Sequence, residues 1–434
     1  MTSQEKKPTI WTISFWYPPN FSGAGIQAHR EHCEFVKSGL PVNVLTAGIS
    51  AAKPQRGKHI NMDGVIVRYF SVIPVSSTLK AWRFRRLSKL FISFLFNLSS
   101  LYFVFLCAWT ILLEGQCQDI LRLEAYNRYA IIPIVVARFK GLHTIVRMSL
   151  LGQDDPYSTL CMARHGQILE YLTLASFHMA EENVAICSAM IESCRKVGIN
   201  DKNVTYISHG IDVDKYQPVD SEDGKVRIRQ ELGLDIKRKY IIFVGSAIER
   251  KGIDVLTDAF IYIHTILKDV DLLIVGPNRF DQFSRFDDLT RQKAVDACKH
   301  KLNINRCEEF VHWIGKVENV QEYMQAADVF SLPTRQEGFG LVIAEAMACG
   351  LPVVVARLEG VTTDIITSTQ SGTLIPGYDY KDYANAIIGI LNQPQTARQM
   401  GVAARERVIS AFSMEQSLRH WKSLFRKLRE DYYD

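Results

Sequence analysis

Short apolar runs alternate with longer amphipathic stretches almost from one end of this chain to the other. Strand–helix–strand units that build parallel sheets produce this rhythm. In the first half it predicts strands at Thr9–Phe15, Val42–Ala47, Gly64–Phe70, Asp119–Leu123, Thr144–Met148, Val184–Cys187 and Val204–Ser208, with helices beginning near Ile26, Tyr126 and Ser188. A polar segment from Tyr216 to Lys239, holding Pro218 and many charges, then reads as a linker followed by a small helix, Lys225 to Leu232. The rhythm restarts with strands at Tyr240–Gly245, Leu272–Gly276, Phe310–Ile314, Val329–Leu332, Val353–Val355 and Thr373–Ile375. A last helix, Met414 to Arg429, has no strand to return to. The fold class this predicts is α/β, with two doubly wound Rossmann-like domains facing across a cleft and the ligand at the carboxyl ends of the strands. The expected domains are 1–218 and 219–412, with a C-terminal helix over 413–434 that crosses back to the first.

Composition narrows the class. At 434 residues the chain exceeds one ordinary core, and its 47% hydrophobic and 22% charged content is that of a folded soluble protein. The net charge of +5 is mild and its Lys and Arg are spread along the chain, so no nucleic acid is expected as partner. Nine cysteines without a C-x-x-C pair read as reduced thiols. Met1 to Ile10 lacks a signal-peptide pattern and Ile10 to Phe15 is too short for its apolar core, which reads as a cytoplasmic protein. His29, His32 and Cys33 share helical spacing that imitates metal ligands, but no accompanying carboxylate is evident; they read as a polar helix face, and no metal is expected.

The segment most informative about chemistry runs from Leu332 through Glu337, Gly338, Phe339, Gly340, Leu341, Val342 and Glu345 to Gly350 and Pro352. A strand ends at Leu332, Gly338 and Gly340 let the backbone turn close to a ligand, and a helix of good formers starts near Leu341. Free N–H groups and the positive dipole end there suit an anion such as pyrophosphate. Glu337 lies on the loop and Glu345 about one turn into the helix. Carboxylates beside a phosphate repel it, so these two read as acceptors for hydroxyl groups, a sugar at one and a ribose at the other.

With these residues the chain resembles the retaining family-4 glycosyltransferases of the GT-B fold, whose hallmark is two glutamates separated by seven residues, as Glu337 and Glu345 are. The resemblance covers nearly the whole chain. It includes Tyr17-Pro-Pro-Asn-Phe-Ser-Gly-Ala-Gly25 to His29, His209-Gly210-Ile211-Asp212 before Tyr216 and Pro218, Phe243-Val-Gly245 with Arg250-Lys251-Gly252, and Ala326-Ala-Asp328 leading into Leu332-Pro333. It implies an acceptor-side first domain and a nucleotide-sugar-binding second one. It implies that Glu337 holds hydroxyls of the donor sugar, Glu345 those of the ribose, and the N–H groups of Leu341 and Val342 the pyrophosphate. Lys251 would neutralise charge on the leaving diphosphate of an oxocarbenium-like reaction. Gly25, Gly245, Ser246, Gly338, Phe339 and Gly340 would complete the donor site. Three departures from the family stand out: Ser246 replaces an arginine, which makes Arg250 the alternative second cation; Ala24-Gly25 replaces two adjacent glycines; and a histidine after the middle strand is missing, leaving Arg147 or Asp154 to line the acceptor side.

The implied function is transfer of a hexose from a nucleoside-diphosphate sugar to an unidentified acceptor, a lipid-linked saccharide among the candidates, with retention and with no cofactor beyond the donor. A catalytically weak nucleotide-sugar-binding protein is the alternative. A nicotinamide dehydrogenase is set aside because no G-x-G-x-x-G follows the first strand. The patterns Asp212-Val-Asp214 and Asp269-Val-Asp271 do not end a strand, where a diphosphate-bound metal is needed, and count as decoys. Leu90 to Leu113 carries no charge and follows Arg83, Arg85, Arg86 and Lys89. Two readings of it stay open: a buried crossover helix, or a helix dipping into one leaflet at the cytoplasmic face of a membrane.

Overall fold

The structure is a computed structural model and describes residues 7–18, 23–48, 59–71, 87–124, 129–277 and 288–429. The chain divides into two compact units, one running to Ser208 and resuming at Leu418, the other spanning His209–Ser417.

In the first unit the elements follow in the order β1 (Ile10–Ser14), α1 (Gly23–Lys37), β2 (Val42–Gly48), β3 (His59–Met62), β4 (Val65–Ser71), α2 (Leu87–Glu114), β5 (Ile120–Glu124), α3 (Ile131–Phe139), β6 (His143–Arg147), α4 (Pro156–Arg164), α5 (Glu170–Met179), β7 (Glu182–Ala185), α6 (Ser188–Lys196) and β8 (Val204–Tyr206). The strands form one sheet in the order β3-β4-β2-β1-β5-β6-β7-β8. Every pairing is parallel except β3 with β4. Strands β1, β5 and β7 are buried along their whole length, as expected where helices cover both faces of a parallel sheet. The expected helix near Tyr126 starts on a residue outside the described ones, and α3 opens at Ile131. Strand β3 was not expected, because His59, Ile60, Asn61 and Met62 alternate polar and apolar over four residues only and lie on an exposed edge. Its signal is the turn: Asp63 and Gly64 both have positive φ, 53° and 88°, the conformation of a two-residue hairpin with an Asp-Gly pair.

Helix α2 links β4 to β5, two strands of one sheet, so it is a crossover helix. Asn97–Glu114 is long and apolar enough to cross a membrane by length and composition, but 44% of it is buried in the protein. Phe103, Val104, Cys107 and Ile111 face inward, whereas Tyr102, Phe105, Trp109 and Leu113 are exposed. The helix thus covers the sheet with one apolar side and presents another to its surroundings. Arg83, Arg85 and Arg86 lie outside the described residues, and of Lys89 only the backbone is described.

The second unit contains α7 (Glu222–Glu231), β9 (Lys239–Val244), α8 (Ile253–Ile266), β10 (Val270–Val275), α9 (Asp288–Ile304), β11 (Val311–Gly315), α10 (Val320–Ala326), β12 (Val329–Leu332), α11 (Leu341–Ala348), β13 (Val353–Ala356), α12 (Thr362–Ile365), β14 (Thr373–Ile375), α13 (Tyr380–Asn392) and α14 (Pro394–Phe412). Its parallel sheet has the order β11-β10-β9-β12-β13-β14. The segment from His209 to Pro218 packs with this unit, which moves the division ahead of the expected boundary at 218. The Ile211 amide donates to Phe412 O at 2.8 Å, the Met414 amide to Ile211 O at 2.9 Å, and Arg405 Nη1 to Tyr216 O at 3.0 Å.

The final helix, α15 (Met414–Leu428), returns its later turns to the first unit. Trp421, Leu424, Phe425 and Leu428 are buried in one cluster with Ile10, Tyr17, Phe35 and Val44. Beneath Trp421 lies a buried ionic quartet. Glu31 accepts from Arg122 Nη2 at 2.8 Å and from Arg147 Nη1 and Nη2 at 2.9 and 2.7 Å. Glu124 pairs with Arg122 and lies 3.6 Å from Arg147. The Arg122 guanidinium stacks 4.2 Å from the Trp421 ring centre, a cation–π contact made stronger by its dry surroundings. Burial opposes the charge on Arg122, but Glu124 and Glu31 more than offset it and hold its pKa above the usual arginine value.

Candidate active site

The second unit builds its site where β9, β10 and β12 end. Gly245 and Gly276 follow β9 and β10 with φ of 147° and 134°. A Cβ on Gly276 would stand 2.2 Å from Gly245 O, so only glycine lets these two strand ends approach so closely. After β9 the chain makes a 3-10 turn over Glu249–Lys251 and enters α8 through Gly252, φ 76°. There a Cβ would meet Pro333 O at 1.9 Å. The loop after β9 thereby lies directly on the loop after β12.

Hydrogen bonds join the two loops. The Arg335 amide donates to Arg250 O at 2.8 Å, Thr334 Oγ1 donates to the same oxygen at 3.2 Å, and Arg250 Nη1 donates to Gln336 O at 3.0 Å. Arg335 adds a two-pronged bridge to Asp254 at 2.9 and 2.8 Å. The outcome is a fixed pair of side chains: Lys251 Nζ donates to Glu337 Oε1 at 2.5 Å, with the two side chains only 16% and 8% exposed. Lys251 and Glu337 stand far apart in sequence and meet only because glycine at 252 lets the loops touch.

Helix α11 opens beside this pair. Gly340 caps it in the left-handed region, φ 98°, and its carbonyl accepts the amides of Ile343 and Ala344. Among the described residues the amides of Leu341 and Val342 have no acceptor, and both residues are only half-buried. Two backbone donors and the positive end of a helix therefore open four residues after Glu337, the partner of Lys251, an arrangement suited to an anion. Glu337, Gly338, Phe339 and Gly340 are buried. Phe339 packs edge-on against His209 and Phe412, with ring centres 5.7 and 5.3 Å away, which fixes the glycine-flanked turn. Glu345 is 7% exposed in the second turn of α11. Burial, and then the Glu345 charge, push the Cys349 thiol up.

Among the residues expected to serve the second-unit site, Lys251, Glu337, Gly338, Phe339, Gly340, Leu341 and Val342 come together at this mouth, and Arg250 acts there as a strut between the loops. Ser246 is occupied differently: its hydroxyl accepts from Arg291 Nε at 2.8 Å. Arg291 lies on α9 and is buried. It brings a guanidinium to the carboxyl end of β9, at the position where Ser246 offers no charge of its own. No local motif marks Arg291, so sequence reading had no means of finding it.

Gly25 is buried near the start of α1 in the first unit. Arg147 and Asp154, expected on the acceptor side, are both buried there. Arg147 is 2% exposed because its guanidinium belongs to the ionic quartet. Asp154 is 5% exposed and holds its own turn, accepting from the Leu150 amide at 2.7 Å and from Ser149 Oγ. Both Asp-x-Asp patterns also have structural work. Asp212 accepts the amides of Asp214 and Lys215, Asp269 pairs with Lys239, and Asp271 takes Arg238 and His312. All nine cysteines are free thiols.

The two joined loops lie at the carboxyl edge of a parallel sheet covered by helices. Residues 225–407 match the family model described as glycosyl transferases group 1. A relative described as D-inositol 3-phosphate glycosyltransferase 2, from Catenulispora acidiphila, is 28% identical over 274 residues, 61% of this chain and 60% of its own length. A GDP-mannose-dependent monoacylated alpha-(1-6)-phosphatidylinositol monomannoside mannosyltransferase from Corynebacterium glutamicum is 27% identical over 56% of this chain and 66% of its own. The chain thus spans less than two thirds of the length of these two relatives. Among solved structures, Anabaena Alr3699/HepE in complex with UDP superposes with a TM-score of 0.73 at 16% identity, over 97% of this chain and all of that one. At that identity the likeness shows the fold, which is GT-B.

Proposed function

We propose that the protein is a retaining, metal-independent hexosyltransferase using a nucleoside-diphosphate sugar. The observation that carries this reading is the Lys251–Glu337 pair, held at 2.5 Å beside the free amides that open α11. In this reading the donor diphosphate lies on the Leu341 and Val342 amides, and Lys251 turns from Glu337 to the phosphate oxygens. The Glu337 carboxylate then accepts hydroxyls of the sugar, and Glu345 those of the ribose. As the glycosidic bond to the diphosphate lengthens, negative charge grows on the leaving oxygen while the sugar becomes oxocarbenium-like. Lys251, the helix terminus and Arg291 stabilise that charge without a metal ion. Arg291, anchored by Ser246, serves as the second cation, a task assigned to Arg250 from sequence but one that Arg250, bound to Gln336 O, is poorly free to perform.

A lipid-linked acceptor at the cytoplasmic face of a membrane is part of the proposal. The name of the Corynebacterium relative, which acts on a phosphatidylinositol mannoside, and the exposed apolar side of α2 support it.

The experiment is donor turnover across UDP- and GDP-hexoses in excess chelator, with the anomeric configuration of the product read by NMR. Lys251→Ala, Glu337→Gln and Arg291→Gln are each expected to lower kcat by about 10²–10³, the usual cost of one charge-stabilising group, read at a temperature where each variant is folded, because loss of a partner in a largely buried pair also lowers stability. Wild-type turnover in the Lys251 or Glu337 variant, inversion in the product, or activity that returns only with added Mg²⁺ or Mn²⁺ would each overturn the reading.

A further inference from the structure

We propose that the first unit carries a binding site for a zinc-class metal ion, formed by His29, Cys33 and Asp63. His29 and Cys33 sit four residues apart on α1 and therefore share one helix face. Asp63 arrives from the hairpin turn between β3 and β4, and it supplies the carboxylate that the spacing of His29, His32 and Cys33 lacks. His29 Nε2 lies 3.1 Å from Asp63 Oδ2 and 3.6 Å from Cys33 Sγ, and one ligand atom from each of the three falls within 4.8 Å of the others. Tetrahedral zinc, with bonds of about 2.0 Å to nitrogen or oxygen and 2.3 Å to sulfur, separates its ligand atoms by roughly 3.3–3.6 Å. The two spacings from His29 match those edges, and the third, between Cys33 and Asp63, lies within 4.8 Å. Among the described residues this is the one such cluster of histidine, cysteine and carboxylate groups.

The groups behind His29 prepare it for this task. Tyr17 Oη stands 3.0 Å from His29 Nδ1 and 3.0 Å from His32 Nδ1, and His32 Nε2 is 3.1 Å from Thr12 Oγ1. When His32 donates to Thr12, its Nδ1 accepts from Tyr17, whose oxygen in turn accepts from His29 Nδ1–H. That order leaves the His29 Nε2 lone pair directed at the site, as a hydrogen-bonded second ring nitrogen does in metal-binding histidines. The same chain explains why His32 is not a ligand: its ring is fully buried and both nitrogens are engaged.

Binding displaces the Cys33 thiol proton to solvent. A neutral imidazole, one thiolate and one carboxylate then balance the charge of a divalent ion. The mixed nitrogen, sulfur and oxygen set suits zinc, or cobalt as its probe, far better than magnesium or calcium. Asp63 is 78% exposed in its side chain, so the ion has an open path and a free position for water. The bound ion would clip the β3–β4 hairpin to α1. It takes no part in transfer, whose proposed residues lie in the second unit, so the two ideas fail separately.

The test is anaerobic titration of the metal-free full-length chain with Co²⁺. One equivalent is expected to bind, giving a thiolate-to-cobalt band in the near ultraviolet and intense tetrahedral bands in the visible, all displaced by Zn²⁺. Cys33→Ser should remove the charge-transfer band, and Asp63→Asn should weaken binding about 10-fold or more. Cys117→Ser, which alters an exposed thiol elsewhere, should change neither. Zn²⁺ should raise the melting temperature of the wild type and raise that of Asp63→Asn less. Absence of a stoichiometric cobalt spectrum, or a spectrum that persists in Cys33→Ser, would overturn the proposal. Asp63→Asn changes an exposed side chain, so it keeps the test open even if Cys33→Ser folds poorly.

Discussion

Replacing Arg147 by methionine, a side chain of similar length without the charge, should destabilise the first unit by about 3–5 kcal/mol, the usual cost of orphaning one member of a buried ion pair. The structure explains why the cost reaches this range. Arg147 gives two hydrogen bonds to Glu31, at 2.9 and 2.7 Å, and lies 3.6 Å from Glu124. No member of the quartet is more than 7% exposed. With two guanidinium groups and two carboxylates the cluster is neutral; without Arg147 it retains a buried net negative charge. At an effective dielectric constant near 20, one pair at about 3 Å is worth roughly 5 kcal/mol by Coulomb's law, which agrees with the mutational range.

Urea unfolding followed by far-UV circular dichroism and tryptophan fluorescence measures the loss as a lower midpoint at unchanged slope in the first transition. Combining Arg147→Met with Glu31→Gln should restore part of it, because the pair fails together rather than additively. At a temperature where the single variant is still folded, KM for donor and acceptor should stay within about 2-fold of wild type. A variant that unfolds within about 0.5 kcal/mol of wild type but shows a raised acceptor KM would refute the structural role and return Arg147 to the acceptor surface.

Burial raises the Asp154 carboxyl from 3.8 to about 6. The folded state therefore holds that proton more tightly than the unfolded one, and the resulting stability is complete below pH about 4 and lost as pH rises through about 6, by up to roughly 3 kcal/mol. Asp154→Asn keeps a side-chain acceptor for the Leu150 amide and should remove this slope, so identical stability profiles for variant and wild type between pH 4 and 7 would count against it. The exposed side of α2 should bring the protein down with anionic vesicles at low salt. Phe105→Ser with Trp109→Ser should weaken that binding, as should Gln at Arg83, Arg85, Arg86 and Lys89, each worth about 1 kcal/mol near an anionic surface; full recovery of the wild type in the supernatant would remove the membrane from the proposal.

What the sequence determined by itself is the series of elements and one half of the site. Strands such as Val329–Leu332 and Val353–Ala356 appear where the apolar runs put them, since a parallel strand covered on both faces must be largely apolar. The glycines around α11 announced its open N-terminus, because backbone conformation is a local property. The edge strand β3 left little trace, as four alternating residues are a short signal, and the Asp63–Gly64 turn is its firmer mark. Everything that depends on two distant segments meeting was decided by the tertiary structure. Arg147 reads from sequence as a polar residue near the end of a strand, yet Glu31 and Glu124 close around it beneath Trp421. Arg291 reaches Ser246 from another helix, Lys251 reaches Glu337 across two loops, and Asp63 reaches His29 from a hairpin. A single side chain records its own polarity but not its partner, and the chemistry at each of these places comes from the partner.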